Sequence, residues 1–462
     1  MSQINLDEHH KIHIVGIGGA GMSAIASVLQ SMGFSVSGSD ARNSHAIDRL
    51  KAQGIDTYLG HRGENIEGSD LLTYSSAVPV SNAELLAAAA KGIPVVSRSE
   101  ILAAVSKMKS SVSIAGTHGK TTTTTMLGMI LVEAQLLPSL IVGGDVNEIG
   151  TNAIWGEGDF LVVEADESDG TFLKLDTDIA VVTSIEADHL DFYGSFSALV
   201  DAYSNFLLRA HKAAVVCIDD EEIASLALTR DNLYSYGFSE SADYRICNFT
   251  SLKSKIGFDI LFHGDLLGHV ELPVPGMHNA RNAAAAIVAA LLCDAKFSHA
   301  VSALSRFAGV ARRFEFRGET QGITFVDDYA HLPGEIKATL AAAKQLESKR
   351  IVAVFQPHRY SRTASLASEF SSAFPDSDLT VITDIYPAGE KPLPGITGEL
   401  IVNAAKDYLP EGSLYYCPNR GDLVEFLKQN LRPGDLCLTL SAGDLSSLPD
   451  EVMQKLTGES KH

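Results

Sequence analysis

Short apolar runs alternate with helical spacings along most of the 462-residue chain. The run IHIVGIG (12–18) reads as a buried strand, a helical pattern follows from Ala20 to Met32, and a second strand, FSVSGSD, ends at Asp40. LLTYSS (71–76) and IPVVS (93–97) continue the rhythm, and the polar stretch SKMKSS (106–111) predicts a linker. A second series opens with VSIAG (112–116) and enters the threonine-rich TTTTTMLGMILVEA. It continues through the strands DFLVVEAD (159–166) and DIAVVTSIE (178–186) and an Ala-rich helix over 279–293, closing near RRFEF (312–316). A third series holds ITFVDDY (323–329), RIVAVFQP (350–357), DLTVITDIY (378–386) and DLCLTLSAG (435–443). Such alternation predicts mostly parallel sheets with helices on both faces, in three α/β units. Threonine is a mediocre helix former, so five in a row imply that hydroxyls are useful at that helix start.

Composition changes this picture little. A chain of this length calls for two to four domains, and 45% hydrophobic with 20% charged residues is ordinary for a soluble globular protein. The formal net charge of −21 speaks against nonspecific nucleic-acid binding, which needs clustered Lys and Arg. It leaves room for a small anionic substrate, because helix N-termini, Arg and metal reverse the sign locally. Five cysteines (217, 247, 293, 417, 437) include no CxxC pair and predict buried thiols in a reduced, cytoplasmic setting. The first residues lack a signal-peptide pattern. The longest apolar run, AAAAIVAALLC (283–293), is too short to span a bilayer, so no membrane association is expected.

The loops between these runs carry the chemistry. GIGGAGMS sets Gly16, Gly18 and Gly21 in GxGxxG spacing, with Asp40 closing the next strand. That is either a cradle for a pyrophosphate, NAD among others, or a glycine turn made for close packing. GTHGKTT (116–122) lies between strand and helix: Lys120 offers a cation to terminal phosphates, Thr121 a hydroxyl to Mg²⁺, and the loop amides a cradle. Its glycine spacing is shorter than in the generic phosphate-binding loop, Ile114 standing where the first Gly would fall. Two acidic strand ends, with Glu164, Asp166, Glu167 and Asp169 in one and Glu186, Asp188, His189 and Asp191 in the other, suit Mg²⁺ or simple turn capping. His278, Asn279 and Asn282 share a helix face in GMHNARN, which reads as N-capping and a solvated face or as contacts to a nucleoside. Arg312 and Arg313 sit near the presumed second boundary, where Arg can stabilise a phosphoryl group. Asp327, Asp328, Tyr329 and His331, then His358, Arg359 and Arg362, then Asp384 and Tyr386 follow three strands in turn. They mark one ligand edge, with Arg359 and Arg362 suited to grip a carboxylate. His9, His10 and His13 match no ligand spacing and are expected at the surface.

With GTHGKTT, EADESD, ADHLDFYG, HNxxN, RRFE, DDYAH, FQPHRYSRT and YPAGE in this order, the chain resembles the Mur ligases over essentially its whole length. GGAGM, FQPHRYSRT and DIYPAGE look most like the branch that adds L-alanine to UDP-N-acetylmuramate. The resemblance implies a Rossmann-like N-terminal domain (1–108) for the UDP-sugar and a central P-loop ATPase-like domain (109–316) for ATP. It implies a Rossmann-like C-terminal domain (317–462) for the amino acid. Carried over, Gly16, Gly18, Gly19, Gly21, Met22, Asp40, His61, Ser75 and Ser76 serve the UDP-sugar. Gly116, Thr117, His118, Gly119, Lys120, Thr121, Thr122, His278, Asn279, Asn282, Arg313 and Asp328 serve ATP. Thr121, Glu164 and His189 serve Mg²⁺, which Mn²⁺ could replace, and Tyr329, His331, Arg359 and Arg362 serve alanine. Lys120, His189, Arg313 and His331 carry the catalytic roles.

The chain departs from the family at YAHHPTE, where Leu332 replaces the second His and Gly334 the Thr, and at GAGDI, which reads SAGDL. Siblings adding later residues carry a modified lysine; no Lys occurs here between His189 and Lys212, with Ser204 about where it would stand. The implied reaction activates the sugar carboxylate as an acyl phosphate, releasing ADP. Attack by the alanine amine, with His331 or His189 as base, then releases phosphate. Closure about 106–111 and 316–322 is expected, in a monomer or homodimer. Two other readings stand beside it: a recycling ligase adding a preformed tripeptide, and an NAD-dependent oxidoreductase or non-catalytic nucleotide-binding module.

Overall fold

The structure, a computed structural model, describes residues 4–146, 151–226, 230–252, 255–346 and 348–457. Two compact units divide it: Met1–Phe249 with Gly257–Glu271 and Asn279–Phe307, and Ala308–His462 with Thr250–Ile256 and Leu272–His278. The described residues form three sheets.

The first sheet has the order β3-β2-β1-β4-β5, from β1 (Lys11–Val15), β2 (Ser35–Asp40), β3 (Asp56–Leu59), β4 (Leu71–Tyr74) and β5 (Val95–Ser97), all parallel. Ile12, His13, Ile14 and Val15 are all buried, as expected of a central strand covered on both faces. His13 is therefore a core residue, contrary to the surface position expected of it, because the strand period leaves no solvated face at the sheet centre. The chain runs outward from β1 on one side and then crosses to β4, so the β1/β4 boundary is the topological switch point where such sheets bind ligands.

The second sheet runs β15-β14-β13-β12-β11-β10-β6-β9-β7-β8. It is formed by β6 (Ser110–Ala115), β7 (Ser139–Val146), β8 (Thr151–Ile154), β9 (Phe160–Glu164), β10 (Ile179–Val182), β11 (Ala213–Cys217), β12 (Leu233–Gly237), β13 (Tyr244–Leu252), β14 (Lys255–Phe262) and β15 (Asp265–Leu272). The strands β10, β6 and β9 are parallel neighbours. Their C-terminal ends therefore release the phosphate loop and both acidic segments on one edge.

The third sheet runs β16-β17-β21-β18-β19-β20, from β16 (Glu315–Thr320), β17 (Ile323–Asp328), β18 (Arg350–Phe355), β19 (Leu379–Ile382), β20 (Leu414–Tyr416) and β21 (Asp435–Leu440). The pair β16/β17 is antiparallel and the rest parallel. Two apolar layers sandwich it, one around Ile336, Phe355 and Phe370, the other around Val352, Leu427 and Val452. The segment 316–322, expected as a hinge loop, is instead strand and hairpin turn. The expected boundary at 316/317 falls inside β16.

Candidate active site

The glycine loop follows β1. Gly16 adopts φ +80°, and a Cβ there would come within 3.0 Å of Ser75 Cβ, so only glycine lets the β1 and β4 loops close on each other. Ser75 donates its N–H to Val15 O (3.0 Å), and Ser76 beside it is exposed. Asp40 Oδ2 accepts the Gly18 N–H at 2.9 Å and Oδ1 the Arg42 N–H at 3.1 Å: the acid that closes β2 shapes the loop itself. Gly19 caps the helix Ala20–Ser31, and Met22 turns its side chain into the core.

His61 is held from behind. Its Nδ1 lies 2.9 Å from Ser39 Oγ and 3.3 Å from Glu84 Oε2. Glu84 is fully buried and accepts from Ser39 Oγ (2.5 Å), Asn65 Nδ2 (2.5 Å) and Arg62 N (3.2 Å). His13 Nε2 lies 3.7 Å away. Burial pushes the Glu84 carboxyl up, but the hydrogen bonds from Ser39 and Asn65 and the nearby His13 outweigh it and bring its pKa down to about 2. A depressed carboxyl adds stability above its ordinary pKa and loses it as pH falls through the folded value. Urea denaturation should thus show the gap between the parent and Glu84→Gln narrowing by about 3 kcal/mol from about pH 5 to about pH 2. A gap that stays constant with pH would contradict this.

The phosphate loop spans Gly116 (φ +133°) to Gly119 (φ +82°). A Cβ on Gly119 would meet Asn282 Oδ1 at 2.3 Å. Asn282 Oδ1 accepts from Thr123 Oγ1 (3.4 Å), and its Nδ2 donates to Asn279 Oδ1 (3.5 Å). Asn279 and Asn282 are buried, not on the solvated face that spacing allowed; they brace the loop from beneath. His278, next to them in sequence, belongs to the second unit. The His118 N–H donates to Ser184 Oγ (2.9 Å), and His118 Nε2 faces Glu186 Oε2 at 3.1 Å. Thr117 Oγ1 accepts the Glu186 N–H (2.8 Å), and Thr122 is buried.

Lys120 Nζ donates to Gly116 O (2.5 Å), Thr117 O (3.3 Å) and Glu167 Oε1 (2.7 Å). Burial works against the ammonium, but Glu167, Glu164 and Asp166 more than compensate, and its pKa stands above the ordinary value. Burial pushes Glu167 up to about 7 against the pull of Lys120. Thr121 Oγ1 donates to Glu164 Oε2 (3.0 Å). A hydroxyl and a carboxylate side by side next to Lys120 fit Mg²⁺, which takes few protein oxygens. His189, in left-handed backbone (φ 54°), turns Nε2 to Asp188 Oδ2 at 3.2 Å. The side chain of Asp191 lies outside the described part of the chain. Ser204 is half-buried on the helix Phe196–Arg209.

In the second unit, Tyr329, His331, His358 and Tyr386 form a ladder of rings. Successive centroids are 5.5, 5.6 and 5.7 Å apart, the last pair stacked. Arg362 NH1 lies 3.1 Å from His358 Nδ1. Arg359 takes φ 71°, strained for a non-glycine, and its buried Nε has no hydrogen-bond partner among the described residues. Such an orphan donor fits a carboxylate. Arg312 is spent on Asp327 Oδ2 (3.1 Å) and Ser441 O (2.5 Å), whereas Arg313 lies over the Tyr329 ring (5.2 Å) and 3.6 Å from Glu335. Asp328 accepts from Phe314 N (2.7 Å) and Ala330 N (2.8 Å). Burial raises it to about 6 despite Arg313. Leu332 is buried in the apolar layer with Ile336 and Leu340, so the position that departs from the family pattern is part of the core.

Sequence profiles match in series: the Mur ligase family, catalytic domain, over residues 11–110, the Mur ligase middle domain over 114–290, and the Mur ligase, glutamate ligase domain over 312–443. The UDP-N-acetylmuramate–L-alanine ligase of Geotalea uraniireducens is 44% identical over 452 residues, 97% of this chain and 98% of that one. The chain belongs to the Mur ligase family. A second relative of that name, from Pelotomaculum thermopropionicum, is 41% identical and covers 99% of this chain and 100% of its own. The solved UDP-N-acetylmuramate–alanine ligase of Thermotoga maritima superposes with a TM-score of 0.82 at 27% identity, over 98% of this chain and all of that one. A murein peptide ligase from Psychrobacter arcticus shares the fold at 22% identity (TM-score 0.71; 98% of this chain, 100% of that one). As a Mur ligase the chain has the three-part α/β architecture that its hydrophobic pattern predicts. Among the described residues no helix is long and apolar enough to cross a membrane.

Proposed function

We propose that this Mur ligase joins L-alanine to the carboxyl group of UDP-N-acetylmuramate, using ATP, in peptidoglycan precursor synthesis. What carries this reading is the match over nearly the full length to ligases of that name; the orphaned Arg359 Nε, fit for an amino-acid carboxylate, supports it from the geometry. Residues of the first unit serve the first step. The sugar carboxylate attacks the γ-phosphate while Lys120 and the amides of the phosphate loop hold the phosphates and spread the developing charge, and ADP leaves. Thr121 and Glu164 would hold Mg²⁺, which when bound neutralises phosphate oxygens.

Residues of the second unit serve the second step. Arg359 and Arg362 take the carboxylate of alanine, and its amine attacks the acyl carbon, expelling phosphate. Nδ1 of His331 donates to Tyr329 O (3.0 Å) beside Glu335 Oε2 (3.2 Å), a tautomer assigned from this network that makes Nε2 the basic nitrogen. His331 Nε2 is accordingly the group that takes the amine's proton. The test supplies UDP-N-acetylmuramate and ATP with L-alanine, glycine, L-serine or a tripeptide and follows ADP release. L-Alanine should give the highest kcat/KM, and no acceptor-dependent ADP with any of them would refute the assignment.

A further inference from the structure

No sequence motif marks Arg98, the first residue of the helix Arg98–Ser106. A Cβ added to Gly21 would meet its Nε at 2.9 Å, NH2 at 3.1 Å and Cζ at 3.2 Å. The Nε–NH2 edge of the guanidinium, the fork that matches carboxylates and phosphates, therefore lies across the first turn of the helix Ala20–Ser31. That turn follows the glycine loop. NH1 points the other way, 3.4 Å from Asp166 Oδ2 and 3.8 Å from Asp169 Oδ2. A small cavity of about 50 Å³ opens beside Arg98, lined in part by Gly21, Glu164 and Asp166. This Glu164 is the carboxylate that accepts from Thr121. Of four acids in one segment, Glu164 and Glu167 bond to Thr121 and Lys120, while Asp166 and Asp169 pair with Arg98.

We propose that Arg98 is a substrate-binding residue whose Nε–NH2 edge holds an oxyanion of the UDP-sugar acid, with Asp166 and Asp169 aiming the guanidinium. This rests on the ligase reading above. A planar guanidinium over a helix N-terminal turn adds a charged donor pair to the turn's amide donors. It stands beside both the glycine loop and the Glu164–Thr121 pair, the groups that the ligase reading gives to the UDP-sugar and to the metal-bound ATP. Two oxyanions of the same molecule qualify, the diphosphate and the lactyl carboxylate, and a comparison of ligands separates them.

The experiment measures binding of UDP, UDP-N-acetylmuramate and ATP by calorimetry to the parent chain, Arg98→Ala, Arg98→Lys and Ser99→Ala. The last removes a neighbouring contact of the same helix, Lys174 Nζ to Ser99 Oγ at 2.8 Å. Arg98→Ala should weaken UDP-N-acetylmuramate at least about tenfold and leave ATP within about twofold. Arg98→Lys, which keeps the charge toward Asp166, should recover part of that loss, and Ser99→Ala should match the parent. A loss confined to UDP-N-acetylmuramate identifies the carboxylate; an equal loss for UDP identifies the diphosphate. Unchanged affinity in Arg98→Ala, or equal weakening of ATP, overturns the assignment of Arg98 alone. A parent chain that binds neither uridine nucleotide overturns the ligase reading with it.

Discussion

Lys120→Ala should lower kcat/KM by about three orders of magnitude, while the dissociation constant for UDP-N-acetylmuramate stays within about threefold. The cation sits where the loop's carbonyls and Glu167 converge, and its charge is retained against burial by three carboxylates. Removing it takes away the loop cation that the proposed reaction gives to the phosphates of ATP and leaves Glu167 buried without its partner. An acid whose folded pKa is raised costs stability as pH climbs from the unfolded value through the folded one. Glu167 already stands at about 7 in the parent and rises further without Lys120, so Lys120→Ala should become progressively less stable than the parent above about pH 7. The double variant Lys120→Ala/Glu167→Gln should regain that stability without regaining activity. Steady-state kinetics, calorimetry and urea melts across pH decide the matter. A fall in activity below about tenfold would remove Lys120 from the chemistry, and parallel loss of uridine-nucleotide binding would show that the two loops do not act separately.

Arg359→Ala should raise KM for L-alanine by about a hundredfold, with KM for ATP unchanged. Its buried Nε has no acceptor among the described residues, and a charged hydrogen bond to a carboxylate is worth about 1.5–3 kcal/mol, more when desolvated. Arg359→Lys should not restore affinity, since a point charge cannot replace a planar fork. The backbone provides a control. Residue 359 takes φ 71° and donates its N–H to Tyr386 O at 2.9 Å, so Arg359→Gly relieves strain that a non-glycine carries there, of order 1–3 kcal/mol. That variant should be at least as stable as Arg359→Ala and equally poor with alanine. A KM for alanine near the parent's in either would show that the carboxylate is held elsewhere.

How far the site was legible depends on how local its determinants are. The glycine loop, the phosphate loop and the acidic strand ends each lie within a few residues of one strand, and their chemistry follows from spacing. Residues whose role depends on a distant partner escaped. Arg98 stands in an ordinary helix-capping sequence, and only the fold brings it to Gly21 and Asp166. Glu84 looks like a first-turn acid, yet it anchors His61 both directly and through Ser39. Asn279 and Asn282 had the spacing of a solvated face, and packing placed them beneath the phosphate loop.

Hydrophobic runs of four to six residues between glycine-rich and acidic loops were enough to imply parallel sheets in three α/β parts. A strand buried on both faces must be apolar almost throughout, and that signal is carried by consecutive residues. The same rule misplaced His13: nothing local distinguishes a surface histidine from one buried beside Glu84 and Ser37. The half-exposed strands β13, β14 and β15, and β16 as the antiparallel partner of the expected strand β17, are not legible in the sequence because their edges are set by neighbouring strands. Strand order, the crossing from β1 to β4, and the orphaned donor on Arg359 arise from packing between segments far apart in the chain. No window of sequence contains the partners that determine them.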